Sequence, residues 1–152
     1  MRRKKAIGIA LVVVSLATIA GVATATMGSG VTIEPVGAGT ISRQFKITQG
    51  NDYGVVIARY TIAPGGTTGW HSHPGKAVVA IQSGELTLYR DVDGTCKTKT
   101  VGPGEGFVEV PRVVHMARNE GTTPLVFGAV LFRIPASGVT RIDQPDPGVC
   151  SV

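Results

Sequence analysis

Turn-forming residues interrupt this chain at intervals too short for helices. Gly, Pro, Asn and Asp gather at Gln49-Gly50-Asn51-Asp52, Pro64-Gly65-Gly66, Ser83-Gly84, Asp93-Gly94, Gly102-Pro103-Gly104 and Glu120-Gly121-Thr122. Between them lie apolar or β-branched runs at about 40–48, 53–63, 77–81, 86–89, 107–110, 113–117 and 125–134. No segment after residue 25 sustains the 3.6-residue period of an amphipathic helix. Regularly spaced short strands with turn punctuation predict an all-β sandwich or barrel. Asp93-Gly94 reads as a tight hairpin turn, because both residues tolerate positive φ.

The first 25 residues belong to a different regime. Arg2, Arg3, Lys4 and Lys5 precede an apolar stretch from Ala6 to about Val22, followed by Ala23-Thr24-Ala25. A basic start, a short apolar centre and a small-x-small site form a secretory signal peptide, cleaved after Ala25. Gly8, Ser15, Thr18 and Gly21 dilute the stretch below the ~20 strongly apolar residues of a span. Membrane attachment is therefore expected only through an uncleaved signal. The net charge of +5 comes from the same place, since without those four residues 11 Lys and Arg face 10 acids. A nearly neutral body has no basic patch for nucleic acid.

The expected organisation is a signal peptide at 1–25, an arm at 26–39, one barrel domain at 40–134 and a tail at 135–152. The tail is Pro-rich and reads as an irregular strap across the barrel. Export to an oxidising compartment favours pairing of the two cysteines, Cys96 and Cys150. A bridge between them closes a loop worth roughly 4 kcal/mol in the chain-entropy account.

All three histidines fall in two places, Trp70-His71-Ser72-His73 and Val114-His115. Strand alternation puts His71 and His73 on one face, with Trp70 on the other. His115 comes from a separate strand. Three imidazoles converging in a barrel can hold one divalent transition metal, with Fe, Mn, Zn, Ni and Cu all suited to imidazole donors.

The two stretches resemble the motifs of the cupin superfamily. The first motif runs Gly65, five residues, His71-x-His73, and closes at Gly84; the second has Pro111, His115 and Asn119. The resemblance implies a single jelly-roll barrel with a metal in its mouth, a small-molecule ligand, and pairing into a homodimer through an outer face around Val78 and Ala80. Three departures stand out. The motif's glutamate ligand falls on Ala77, which cannot ligate, the inner glycine after Pro111 is absent, and the interval from Pro111 to His115 is one residue short.

Three readings follow from the vacated position: a metal held by His71, His73 and His115 alone; a substitute carboxylate from Glu109 or Glu105; or a metal-free polar pocket. Asn119 reads either as a partner orienting His115 or as a turn residue. One of Arg59 and Tyr60 must face inward. Ala77, Val79 and Ile81 share the histidine face as an apolar wall. The expected function is a secreted metal-binding cupin. A non-catalytic small-molecule binder and an iron-dependent dioxygenase stand as alternatives, and no catalytic residue is identifiable.

Overall fold

Alternation becomes ten antiparallel strands in the computed structural model, which describes residues 25–41, 53–135 and 137–152. They are β1 (Ser29–Ile41), β2 (Tyr53–Thr67), β3 (His71–Ser72), β4 (Ala77–Ser83), β5 (Leu86–Val92), β6 (Thr95–Val101), β7 (Gly106–Glu109), β8 (His115–Arg118), β9 (Leu125–Ile134) and β10 (Ile142–Asp143). No helix occurs among the described residues. The signal-like segment and most of the run expected at 40–48 lie outside them.

Strand pairing forms two continuous layers. One runs β1-β2-β9-β4-β7, and the other runs β10-β3-β8-β5-β6. They join where the end of β2 meets β8, at Thr67 opposite Arg118. The barrel is nearly closed, and the fold is all-β as expected. Its core is built from both layers: Ile62, Ala77, Val79, Phe127 and Leu131 from one, Leu86, Leu88, Val101 and Ala117 from the other. Each of the larger side chains among them, fully buried, contributes about 1.5–3 kcal/mol of hydrophobic stabilisation. Along β4 the alternation is strict, with Ala77, Val79 and Ile81 buried and Val78 and Ala80 exposed.

Three elements differ from the sequence reading. Residues 29–39, read as an arm, lie within β1, which pairs with β2 along its whole length across two irregularities of register. Gly30, Pro35 and Gly37 hide this strand from a propensity argument. The run Thr95–Val101 is also a strand, although five of its seven residues are Thr or Lys. Register with β5 creates it, and its outer face is solvated. The connecting Asp93-Gly94 turn has φ of 53° and 73°, the double left-handed conformation that the hairpin requires. The third is the tail, whose residues Ile142 and Asp143 add β10 to the edge at β3.

One glycine shows how the first motif is enforced. Gly84 has φ 74°, and a Cβ there would stand 2.8 Å from the Cα of Leu125. Only a residue without a side chain lets the β4–β5 turn pack against the start of β9.

The tail crosses the barrel as a strap. Gln144 donates its backbone N–H to Trp70 and accepts one from Thr26, and Ala25 bridges to Pro145. Cys150 is joined to Cys96 on β6 by a disulfide. Beneath this end Trp70, Met116 and Cys150 form a second, smaller buried cluster. Trp70 thus packs in the interior, on the side away from the histidines.

Candidate metal centre

The three histidines meet because of strand register. His71 on β3 lies directly opposite His115 on β8, and His73 follows two residues later on the same face. Their ring centroids are 4.4–5.3 Å apart. One ring nitrogen from each lies within 4.8 Å of the others. All three are buried.

Backbone carbonyls set the tautomers. His71 Nδ1 donates to Gly69 O at 2.8 Å, His73 Nδ1 to Thr140 O at 2.6 Å, and His115 Nδ1 to Val113 O at 2.9 Å. A carbonyl only accepts, so each Nδ1 carries the proton. Each neutral ring then offers its Nε2 lone pair to the shared space, the arrangement that orients imidazole ligands. Two of these carbonyls come from within two residues of their histidine. The third comes from the strap.

A fourth group enters from β7. Glu109 Oε2 lies 3.1 Å from His73 Nε2, and Oε1 lies 3.2 Å from His115 Nε2. The contact to His115 is off the hydrogen-bond direction, so His115 Nε2 is a buried nitrogen with no hydrogen-bond partner. Glu109 pairs across β4–β7 with Ala77, the position where the motif's glutamate falls. The Glu109 carboxylate thus lies one strand over from Ala77, against His73 and His115.

Glu105 does not take part. It caps the loop at Gly102 through a 2.8 Å bond.

Electrostatics follow from this packing. Burial, then the charges of His115 and Arg141, push His71 down to about 3. Burial also works against the His73 imidazolium, but the Glu109 contact outweighs it and holds His73 above its ordinary value. Burial alone would raise Glu109. Its contacts with His115 and His73 instead hold it well below the usual carboxylate range. Glu109 thus stays anionic beside the Nε2 atoms of His73 and His115. An orphaned buried nitrogen, two further imidazoles and an anionic carboxylate make a nitrogen–oxygen donor set that fits a divalent transition metal.

The remaining candidates separate cleanly. Asn119 is fully buried, but its amide donates to Ile62 O and Thr123 O and accepts from Gly121 N. It fastens the turn before β9 and makes no bond to His115, so it is a turn residue and does not orient that ligand. Tyr60 lines the cavity, whereas Arg59 faces solvent. Burial and the Glu109 charge raise the Tyr60 hydroxyl above its usual value.

The absent motif glycine has a stand-in. Arg112 adopts φ 62° and donates its N–H to His73 O at 2.9 Å. The turn before His115 keeps the left-handed residue without the residue type that tolerates it.

Sequence reasoning missed Thr140 and Arg141 on the strap, both of which line the cavity. The alternation Thr140-Arg141-Ile142-Asp143 was the available signal for a short strand there.

Comparison with known proteins agrees with this geometry. A family model described as Cupin domain matches residues 58–132. The chain is 34% identical over 129 residues to germin-like protein subfamily 2 member 2 of Arabidopsis thaliana, covering 84% of this chain and 50% of that protein. It is 37% identical over 75 residues to germin-like protein subfamily T member 3 of the same plant, covering 48% and 33%. The chain spans about half or less of the length of these curated relatives. Among solved structures, a cupin-like protein from Thermotoga maritima superposes with TM-score 0.54 at 15% identity, covering 76% of this chain and 77% of that one. The barrel that brings the three histidines together is a cupin domain, and the chain is a member of the cupin superfamily.

Proposed function

We propose that this protein is an exported metal-binding cupin whose divalent ion is held by His71, His73 and His115 through Nε2, with Glu109 as the oxygen ligand. The observation that carries the reading is the triple Nδ1–carbonyl pattern. Rings that only line a polar pocket have no need to present the same nitrogen inward. Glu109 supplies the negative charge that the vacated Ala77 position lacks. A divalent ion bound here supplies a Lewis-acid site for an oxygen of a small organic ligand. The residues of the chain do the rest: the carbonyls hold the rings, Glu109 offsets the ionic charge, and the apolar wall of Val79, Leu86 and Phe127 keeps water from surrounding the site.

Export is supported by the three-part N-terminal segment and by the Cys96–Cys150 bridge, a bond that persists in oxidising compartments. The test is metal analysis of the purified protein, followed by titration of the stripped protein with zinc and manganese. One ion per chain, lost in His73→Ala and His115→Ala, is the expected result. A wild-type protein that binds neither ion at micromolar concentration would refute the proposal.

A further inference from the structure

Behind the histidines and Glu109 lies a cavity of about 240 Å³. That is small beside the ~300–1,000 Å³ of clefts for drug-sized ligands. Its walls are apolar over most of their extent, with Val31, Val79, Leu86 and Phe127 among them. Such walls exclude an inorganic anion or a sugar as a well-matched guest, because both would lose water without gaining partners.

One cation enters this cavity. Arg141 reaches it from the strap, directly after Thr140, whose carbonyl holds His73. Asp143 takes only its Nε. Its two Nη groups make no hydrogen bond with any described residue. Tyr60 stands at the same cavity with its ring stacked on Phe127, centroids 4.9 Å apart and planes 3° apart. Its hydroxyl likewise has no hydrogen-bond partner among the described residues. Two donors, Arg141 and Tyr60, therefore line a mostly apolar space beside the histidines and Glu109. A guanidinium fork matches the geometry of a carboxylate. Glu109 lines the same space and repels a second negative charge.

We infer that Arg141 and Tyr60 form a carboxylate subsite, so that the cavity takes a small organic monocarboxylate with an apolar body lying against Val79, Leu86 and Phe127. The inference deepens the metal-centre reading and rests on it only for the oxygen that faces the ion. The strap thereby has two tasks, since Thr140 orients a metal ligand and Arg141 selects the guest.

The experiment compares benzoate with its neutral isostere benzamide by calorimetric titration of the full-length protein, zinc-loaded and metal-stripped. Zinc titration of the wild type comes first and tests the metal centre by itself. The wild type is expected to bind benzoate at least about tenfold more tightly than benzamide, the ratio set by hydrogen bonds to a charged group. Arg141→Gln should abolish that preference, Arg141→Lys should restore part of it, and Tyr60→Phe should weaken it. A smaller preference for benzoate should survive in the metal-stripped wild type. Equal affinity for the two probes, no binding of benzoate at millimolar concentration, or an unchanged preference in Arg141→Gln would each overturn the subsite. If zinc fails to bind while the stripped protein still prefers benzoate through Arg141, the metal centre falls and the subsite stands.

Discussion

Glu109→Gln separates a metal-binding carboxylate from a mere partner of two histidines. The side chain is 11% exposed and touches His73 and His115 at 3.1 and 3.2 Å. Groups that only orient a metal ligand cost about 10–100-fold in affinity when removed. A carboxylate that itself ligates should reach at least the upper end, about 100-fold, or about 3 kcal/mol. In the metal-free protein the same change removes charge-assisted contacts worth about 1.5–3 kcal/mol. That loss has a pH signature. His73 is raised above its ordinary 6.5, so its contribution is complete below that value and fades as pH rises through the raised one. Glu109 is depressed, so its contribution persists in mild acid and disappears only when the carboxylate protonates. The stability difference between wild type and Glu109→Gln should therefore be largest near pH 5–6 and shrink in alkali. Zinc titration at pH 7 and urea unfolding from pH 5 to 9 measure the two effects. A second variant gives rescue: Glu109→Gln with Ala77→Glu moves the carboxylate one strand over, to the laterally paired position. It should recover part of the lost affinity. Ala77→Glu alone sets like charges opposite each other and should destabilise the metal-free protein. Undiminished zinc affinity in Glu109→Gln would refute the assignment of this carboxylate as a ligand.

His71, held near 3, must stay neutral for the folded state, so metal-free stability should fall as pH drops from 6.5 toward 3, by on the order of several kcal/mol at the end. Urea midpoints at pH 7, 5.5 and 4 check this, and His71→Gln should flatten the slope. Cys150→Ser opens the 54-residue loop closed by the disulfide and should cost about 4 kcal/mol, read by chemical denaturation. Arg112→Gly relieves a left-handed φ of 62° and should stabilise the protein by about 1 kcal/mol, seen as a raised melting temperature. Ile57, Val130, Val78 and Val108 face outward in one row across four strands, and Ile57, Val78 and Val108 are substantially exposed. Sedimentation should show a homodimer that Val78→Lys dissociates, whereas a single-chain mass for the wild type at micromolar concentration would contradict it.

The barrel was legible because period-two alternation and Gly/Pro turns are local signals. Val79 and Ile81 face inward for the same reason that His71 and His73 share a face. What escaped were strands made by their neighbours. The Thr95–Val101 strand carries no apolar run of its own, and β1 is broken by Gly and Pro; each exists because a partner strand offers a complementary row of backbone groups. Local propensity does not contain that information.

The site divides along the same line. Three histidines concentrated in two short stretches announce themselves, and a gap at Ala77 is visible by counting from Gly84. Whether Glu109 fills the gap depends on the register of β7 against β4, because a shift of one residue would turn its carboxylate to solvent and bring Val108 or Val110 inward. Register in turn depends on the β6–β7 loop, where Gly104 has φ 82° and donates its N–H to Ile81 O, and Glu105 caps Gly102. The position of the Glu109 carboxylate is thus fixed by a turn five residues upstream. Arg141 is further from reach, since its position depends on chain crossings at Trp70 and Thr26 and on the Cys96 bridge. The histidines repeat a local pattern, whereas Arg141 is placed by the tertiary fold.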